Sequence, residues 1–383
     1  MTAYLDSAAT TRVDPRVAEV VLHWMTTEFG NAGSRTHDWG TRAKRVVQQA
    51  REQLAGRLGA GPSELVFTSG ATESNNIALL GLAPYGESQG RRHIISSAIE
   101  HKAVLEPLEH LASRGFDVDL ISPGPSGWVS VEAVRERLRD DTLLVSVMHV
   151  NNETGVIQPV AELAEQLRDT PTYLHVDAAQ GFCKLPEDLK APIDMISISG
   201  HKVGAPKGVG ALLVRRRGRD TVPLTPLMYG GGQERKLRPG TLPVPLIAGL
   251  AKAAELFEKE HEQWWNQAVA FRARLVEALG KTKVRFNGDQ EHVVPHILNL
   301  SFEGVDAEAL IVQLKELVAV STGSACTSAS YTPSHVLRGM GLPDEIAGNG
   351  LRLSWFPDQV QDLDVNELVD EISEFQAEAS YFA

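Results

Sequence analysis

Residues 194–208 read DMISISGHKVGAPKG, a short apolar run followed by a lysine that lies between glycines. The apolar run predicts a buried strand over Asp194–Ser199. Lys202 comes at the end of this strand, and Gly200 and Gly204 beside it allow the backbone or a ligand to approach closely. Because a partly desolvated lysine can act as an amine nucleophile, Lys202 is a candidate for covalent chemistry.

The sequence on either side of this stretch alternates short β-rich runs with amphipathic helical runs. The predicted strands are Glu64–Thr68, His93–Ser97, Val118–Ile121, Leu143–His149, Tyr173–Asp177, Asp194–Ser199 and Val209–Val214. The helices between them are Thr72–Leu82, His101–Ser113, Val131–Arg139 and Val160–Asp169. Nearly continuous apolar strands that alternate with helices indicate an α/β fold with a mostly parallel sheet, covered by helices on both faces.

The character of the sequence changes from about Leu246. A long helix is predicted over Ile247–Leu279, followed by shorter strands near 284–286, 297–302 and 351–355 and helices near 307–316 and 364–375. We therefore predict a large α/β domain over residues 15–250 and a smaller α+β domain made of residues 1–14 and 251–383.

Composition and charge exclude several classes of protein. The 383 residues are 43% hydrophobic and 22% charged, which is ordinary for a globular protein and excludes a disordered chain. Two cysteines are too few for a disulfide-stapled secreted protein, and no run approaches the ~18 apolar residues of a membrane span. The net charge of −12 disfavours direct binding to nucleic acid. Because the first residues form no signal peptide, we expect a cytoplasmic protein. We also expect no membrane attachment and no metal site.

Polar side chains follow several predicted strands, at the points where ligands bind in open α/β sheets. Residues 69–74 combine a glycine with hydroxyl residues at the start of a helix, which suits either an anion site or a simple helix cap. His101 and Asn152 follow two further strands, although an isolated histidine is more often structural and amides often cap turns. Asp177 ends another strand, where a buried carboxylate needs a cationic partner.

These groups converge on one crevice with Lys202, because the carboxyl ends of parallel strands meet at one edge of a sheet. An anion site, an imidazole, an amide, an acid and a lysine fit one cofactor, pyridoxal 5′-phosphate (PLP). The lysine forms a Schiff base with it, the acid keeps the pyridine nitrogen protonated, and the anion site binds the phosphate. The alternative, five unrelated structural residues, does not explain their placement at successive strand ends.

The two cysteines differ in their surroundings. Cys326 lies within residues 321–330, a run of Gly, Ser, Thr and Ala whose composition is typical of a mobile loop. Free cysteines are usually buried and inert, but a cysteine in an exposed loop is more often reactive. We interpret Cys326 as a candidate nucleophile, and Cys183, between Phe182 and Lys184, as a packing residue.

Nearly the whole chain, from Tyr4 to at least Arg352, resembles the cysteine desulfurases of the NifS/IscS type. These are fold type I PLP-dependent transferases of the class V aminotransferase group. The motifs that carry the resemblance are residues 69–75, 149–153, 175–180, 199–202, 238–243 and 323–326. The resemblance therefore implies the fold type I architecture and PLP as the cofactor.

The resemblance also implies how each matching position would contact the cofactor. Lys202 would be the Schiff-base lysine, and His101 would stack on the pyridine ring and also be a candidate proton carrier. Asp177 would pair with the pyridine nitrogen and Gln180 with the ring hydroxyl. The residues implied to bind the phosphate are Ala71, Thr72, Ser199 and His201.

Further positions are implied to act on the substrate or between subunits. Thr241 would reach the phosphate of the neighbouring subunit, which implies a homodimer with shared sites. Asn152 and Arg352 would hold the substrate carboxylate, a task for which the planar guanidinium fork is suited, and Asn31 is a further substrate-side residue. Cys326 would be the nucleophile that accepts sulfur.

The implied reaction converts L-cysteine to L-alanine and leaves the sulfur on Cys326 as a persulfide. The sulfur would pass to an acceptor protein in iron–sulfur cluster assembly, tRNA thiolation or DNA phosphorothioation, and an acidic surface suits a protein acceptor. One alternative is a selenocysteine lyase or another class V aminotransferase or lyase, which needs no accepting thiol. Another is a non-catalytic scaffold, against which Lys202, Asp177 and His101 argue.

Overall fold

The computed structural model of the protein describes residues 2–323 and 333–382. The strands in this part of the chain are β1 (Ala3–Tyr4), β2 (Leu65–Thr68), β3 (His93–Ser97), β4 (Asp117–Ile121), β5 (Thr142–Ser146), β6 (Tyr173–Asp177), β7 (Met195–Ser199), β8 (Gly210–Val214), β9 (Arg216–Arg217), β10 (Asp220–Thr221), β11 (Val284–Phe286), β12 (Ile297–Phe302), β13 (Val318–Ala319) and β14 (Gly350–Ser354). The α-helices are α1 (Pro15–Thr26), α2 (Asp38–Arg57), α3 (Ala71–Gln89), α4 (Lys102–Ser113), α5 (Val131–Arg135), α6 (Val160–Leu167), α7 (Val244–Leu279), α8 (Ala307–Leu314), α9 (His335–Gly339), α10 (Asp344–Gly348) and α11 (Val365–Phe382).

Seven strands form the large sheet, in the order β2-β8-β7-β6-β5-β3-β4. The strands from β3 to β7 run parallel to one another, whereas β8 is antiparallel to both β2 and β7. Strands β2, β3, β5, β7 and β8 are buried along their whole length, because helices cover both faces of the sheet. The predicted α/β fold is confirmed, and all seven strands predicted in this region are present with small differences at their ends.

Alternate residues of one strand enter opposite cores, because successive side chains of a strand point to opposite faces. Ile95 of β3 and Val145 of β5 lie in the core that the sheet forms with α2, α5, α6 and the first part of α7. Their neighbours Ile94 and Leu144 lie in the core that the sheet forms with α3 and α4. Because these two cores cover both faces of the sheet, the ends of the strands are the part at which a ligand can bind.

Helix α7 joins the large region to a second, smaller one. Its first part, through Phe257, packs in the large core, and its last part, from Phe271, packs with the small antiparallel sheet β11-β12-β14 and helices α8 and α11. Strand β1 pairs in parallel with β13, so the start of the chain joins the smaller region. The domain boundary at residue 250 stays a prediction, since α7 runs unbroken through it. Although α7 has 36 residues, neither it nor another helix in the described part of the chain is apolar enough over a sufficient length to cross a membrane.

Helix α3, which leads away from the anion-site motif, is longer than predicted. It extends to Gln89 rather than ending at Leu82, although Pro84 lies inside it. Proline lacks an N–H and usually disturbs a helix, but the packing of α3 against α4 and the sheet outweighs this preference. The carbonyl of Gly81, one turn earlier, accepts a hydrogen bond from the backbone N–H of Thr225 at 2.8 Å.

Candidate active site

A cavity of about 410 Å³ lies at the carboxyl ends of the central parallel strands. It brings together most of the side chains predicted to form the site: Ala71, Thr72, His101, Asn152, Asp177, Gln180, Ser199, His201, Lys202 and Arg352. Arg352 comes from β14 of the smaller region, so both regions contribute to the cavity. The shared location agrees with the sequence reasoning, while the role of each residue stays a prediction.

Three predicted residues are not part of this cavity as the structure describes it. Asn31 and Thr241 are exposed and do not line it. Cys326 lies outside the described residues, so its predicted role as nucleophile has no structural test here.

Lys202 lies in the 3₁₀ turn that directly follows β7. Its Nζ donates to the carbonyl oxygens of Ala8 and Ala9, each at 2.6 Å. The start of the chain therefore forms one wall of the cavity, which sequence reasoning missed. Backbone carbonyls carry no side-chain signature, so no pattern in the sequence could have identified them.

The Asp177 carboxylate is held in place by two hydrogen bonds at the end of β6. Asn75 Nδ2 donates to Oδ2 at 2.7 Å, and the backbone N–H of Ala179 donates to Oδ1 at 2.9 Å. Asn75 is fully buried on α3, and its own Oδ1 has no hydrogen-bond partner among the described residues. Sequence reasoning assigned Asn75 no role, although it lies one turn along α3 from the predicted anion-binding residues at 71 and 72.

The start of α3 has the backbone geometry that the predicted anion site requires. Its N-cap, Gly70, has a φ of +153°, which glycine adopts readily and other residues rarely do. Among the described residues no side chain caps this helix, so N–H groups of its first turn can bind an anion. A Cβ atom added to Gly210 of β8 would lie 2.6 Å from the Gly70 Cα, so this approach requires glycine.

Two polar side chains from the end of β7 line the cavity as well, Ser199 and His201. Burial, together with the positive charges of Lys202 and Lys207, lowers the pKa of His201 to about 4. Its Nδ1 lies 3.1 Å from the Thr10 hydroxyl oxygen. A neutral imidazole and a hydroxyl can each donate to an anion without bringing a charge of their own.

His101 caps the N-terminus of α4 with its side chain. Its Nδ1 accepts a hydrogen bond from the backbone N–H of Ala103 at 3.1 Å, which places the ring proton of the neutral form on Nε2. Burial lowers the pKa of His101, the charge of Asp177 opposes this shift, and the charge of Lys202 adds to it. The imidazole is therefore neutral near pH 7 and has one N–H directed away from the helix.

Glu100, directly before His101, is fully buried and was not predicted. Its Oε1 accepts from the Ser97 hydroxyl at 2.6 Å and from the Met148 backbone N–H at 2.9 Å, while its Oε2 has no partner among the described residues. Burial raises the pKa of Glu100 to about 8. The neutral carboxyl group ties the end of β3 to Met148, which lines the cavity.

Arg352 is buried and fixed by groups from three separate segments. Its Nη2 donates to Asp6 Oδ1 at 2.6 Å and to the Ser321 hydroxyl at 2.9 Å, and its Nη1 donates to the backbone carbonyl of Asn152 at 3.0 Å. Sequence reasoning missed Asp6 and Ser321, since neither stands in a recognisable pattern with Arg352.

Two buried polar atoms, one on Arg352 and one on Asn152, indicate whether the cavity suits a polar ligand. Arg352 Nε and Asn152 Oδ1 are buried and have no hydrogen-bond partner among the described residues. Buried polar groups are nearly always paired in native proteins, so a bound group with both donors and acceptors accounts for them. A cofactor with an aldehyde, a basic ring nitrogen and a phosphate also matches the lysine, the acid and the anion site.

The substitution Glu100→Gln tests the neutral carboxyl group. The folded state keeps the Glu100 proton until the pH approaches about 8, whereas the unfolded chain loses it near 4.5, so the wild type loses folding free energy as pH rises through this window. Glutamine does not titrate. The melting temperature of the variant should therefore rise relative to that of the wild type between these two pH values.

The control for this test is Glu109→Gln, an exposed position on α4. Its melting temperature should differ from that of the wild type by an amount that does not change with pH. A Glu100→Gln difference that is equally constant would show that Glu100 is ionised in the folded protein.

Comparison with known proteins shows the family to which the chain belongs. Residues 3–368 match the family described as Aminotransferase class-V. Cysteine desulfurase IscS of Vibrio cholerae serotype O1 is 47% identical to the chain over 356 residues, which is 92% of this chain and 87% of that protein.

Two solved structures are similar to this chain over more than nine-tenths of its length. DndA from Streptomyces lividans is 74% identical, with a TM-score of 0.83 over 92% of this chain and 99% of that one. SspA in complex with cysteine is 39% identical, with a TM-score of 0.81 over 93% of this chain and 99% of that one. The chain belongs to the class-V aminotransferase family of PLP-dependent enzymes and, within it, to the cysteine desulfurases.

Proposed function

We propose that this chain is a PLP-dependent cysteine desulfurase that passes the sulfur of L-cysteine to Cys326 and from there to an acceptor protein. The observation that supports it most is the placement of Lys202 and Asp177 on the wall of one cavity, Asp177 as the last residue of β6 and Lys202 in the turn that follows β7. The 47% identity to a cysteine desulfurase over 92% of the chain supports the same activity.

The residues of the cavity would bind PLP at each of its polar groups. When bound, the cofactor supplies an electron sink that weakens bonds at the α-carbon of an amino acid. Lys202 would attach it covalently, Asp177 would pair with its ring nitrogen, Gln180 with its ring oxygen, and neutral His101 would stack on the ring. The residues proposed to bind its phosphate are Ala71, Thr72, Ser199 and His201.

The substrate would be oriented by its carboxylate. The Arg352 guanidinium is buried and already positioned by Asp6 and Ser321, so it can bind a carboxylate without first ordering a flexible side chain. Asn152 offers its carboxamide beside it, and Asn31 stays a predicted substrate-side residue. The Lys202 amine would move the proton at the α-carbon, and His101 is a second candidate proton carrier.

The sulfur leaves cysteine in an exchange that needs no external oxidant or reductant. The Cys326 thiolate attacks the substrate sulfur, so that an S–S bond forms while the bond between that sulfur and the substrate β-carbon breaks. The electron pair of the broken bond stays with the carbon fragment, which takes up protons and becomes alanine. The products are alanine and a persulfide on Cys326, and the persulfide sulfur then passes to the acceptor.

Three settings for the acceptor follow from the resemblance, namely iron–sulfur cluster assembly, tRNA thiolation and DNA phosphorothioation. A net charge of −12 favours a protein acceptor over direct contact with nucleic acid in each of them. The cytoplasmic location expected from the sequence also stays a prediction.

The attachment site of the cofactor gives a direct test. Borohydride reduction of the PLP-loaded enzyme should leave a stable adduct on Lys202, found by peptide mapping with mass spectrometry. Lys202→Ala should lose the adduct. Lys207→Ala, which removes another lysine of the same cavity, should keep it. An adduct on another residue, or none, would overturn the proposed function.

Cys326→Ala tests the sulfur step. The variant should bind PLP as the wild type does, while sulfide release from L-cysteine under thiol reductant falls to background. The matched control is Cys183→Ala: Cys183 is buried, and burial raises the pKa of its thiol to about 12, so it forms no thiolate near pH 7 and its loss should leave sulfide release intact. Undiminished release by Cys326→Ala would instead favour a lyase that needs no accepting thiol.

Exposed apolar side chains close in sequence to Asn31 and Thr241, the two residues that do not line the cavity, support a homodimer. Tyr229 is 84% exposed and Met228 beside it 45%, in the segment that leads to Thr241. Phe29, two residues before Asn31, is 68% exposed and stacks on Trp39 at 6.2 Å between ring centres. Exposed apolar side chains that adjoin one another, as Phe29 and Trp39 do, are typical of surfaces that bind another protein.

Sedimentation equilibrium should therefore give the mass of two chains at micromolar concentration. Tyr229→Asp, which places a charge in the proposed interface, should shift the mass towards one chain. The control Leu120→Asp changes another exposed apolar residue, on the edge strand β4, and should leave the mass unchanged. A wild-type mass of one chain would contradict the dimer.

A further inference from the structure

A buried lysine lies behind the cavity, and the proposed reaction does not use it. Lys184 is only 2% exposed, and among the described residues no carboxylate forms an ion pair with it. Lysine is almost never fully buried unless it is paired, because removing an ammonium group from water is costly. Its position therefore calls for a specific contact that offsets this cost.

The side chain of Lys184 contacts that of Gln180, four residues earlier. Lys184 Nζ donates to Gln180 Oε1 at 3.5 Å, and Gln180 Nε2 donates to the carbonyl oxygen of Ala8 at 2.8 Å. The Lys184 amine can donate in either protonation state, and a backbone carbonyl oxygen can only accept. With the NH₂ group on the Ala8 carbonyl, the Gln180 oxygen faces the Lys184 amine, whereas the reverse orientation would place two acceptor oxygens against each other.

The backbone around Lys184 is fixed as well. Cys183 directly before it has a φ of +65°, a conformation that is uncommon outside glycine. The Lys184 N–H donates to the carbonyl of Gly181 at 3.0 Å, and the Lys184 carbonyl oxygen lies 2.8 Å from His261 Nε2. Such conformations persist where the surroundings enforce them, and they cluster at functional sites.

The titratable neighbours of Lys184 bring no negative charge to it. Burial and then the positive charge of Lys202 lower the pKa of Lys184 to about 7. Burial raises the pKa of the Cys183 thiol to about 12 and lowers the pKa of His296 well below its ordinary value, so both are neutral near pH 7. The Gln180 oxygen is thus the acceptor towards which this amine is directed.

We propose that Lys184 is a positioning residue that acts through Gln180. It holds the carboxamide with the oxygen turned away from the cavity, so that the NH₂ group, whose first N–H binds Ala8, presents its second N–H to the cavity that Gln180 lines. That N–H would donate to the ring oxygen of bound PLP. The inference rests on the proposed function, because it needs PLP in this cavity.

The test is Lys184→Met in the PLP-loaded enzyme. Methionine has a similar length without a donor, and exchanging a buried charged group for an apolar one of similar volume is often neutral or stabilising, so the variant should fold with an unchanged or higher melting temperature. The dissociation constant for PLP should rise about three- to tenfold, as for one lost hydrogen bond, and the visible absorption maximum of bound PLP should shift. Lys184→Leu serves the same purpose if the methionine variant does not fold.

Two further variants make the test specific. Lys190→Met removes an exposed lysine of the same segment and should change neither quantity. In a Gln180→Leu background, Lys184→Met should change the PLP dissociation constant by less than about twofold, because the residue through which Lys184 acts is absent.

Two results would overturn this role of Lys184. One is a Lys184→Met enzyme with the wild-type affinity and absorption, and the other is an equal loss of affinity in the Gln180→Leu background. Both leave the proposed function standing if the wild type binds PLP and releases sulfide from L-cysteine. A wild type that takes up no PLP would remove the proposed function itself.

Discussion

The site depends on a constraint of the parallel sheet: the chain leaves each of its parallel strands at the same edge. Whatever polar residues follow β3, β5, β6 and β7 must therefore share one cavity. Asp177 and Lys202 come together for this reason, although 25 positions of sequence separate them. The apolar cores on both faces of the sheet keep this edge rigid.

The cavity combines a few charged groups with several that burial keeps neutral. Among the ionisable side chains that line it, Asp177, Lys202 and Arg352 are each held by short hydrogen bonds to neighbouring groups. Burial lowers the pKa of His101 and raises that of Glu100, so that both groups are neutral near pH 7. Neutral neighbours leave the few real charges unscreened, which strengthens their action on a bound cofactor and substrate.

The start of the chain connects the two regions at the cavity. Ala8 and Ala9 accept hydrogen bonds from Lys202, and Ala8 also accepts one from Gln180, while Asp6 binds Arg352. Two backbone carbonyls and one carboxylate of this short segment thus position residues from both regions. Substitutions in residues 6–9 should alter the binding of both the cofactor and the substrate carboxylate, since this short stretch contacts the residues proposed to bind each of them.

Much of the fold and most of the cavity follow from local patterns in the sequence. Buried strands can be predicted because continuous apolar runs alternate with helices. The shared edge at which they end can be predicted because the topology of parallel sheets is restricted. Asp177 and Lys202 stand out for the same reason, since one ends an apolar strand and the other follows the end of one. The anion site could be recognised from a glycine and hydroxyl residues at a helix start.

The sequence by itself thus determined the parallel sheet, the edge at which ligands bind and the charged residues at that edge, because each depends on neighbours along the chain. The tertiary structure alone decided the partners that arrive from distant segments. Asn75 on Asp177, Ala8 on Lys202 and Lys184 behind Gln180 depend on how helices, the chain start and a strained turn pack together. Such contacts are set by packing in three dimensions, which no spacing of residues along a single sequence encodes.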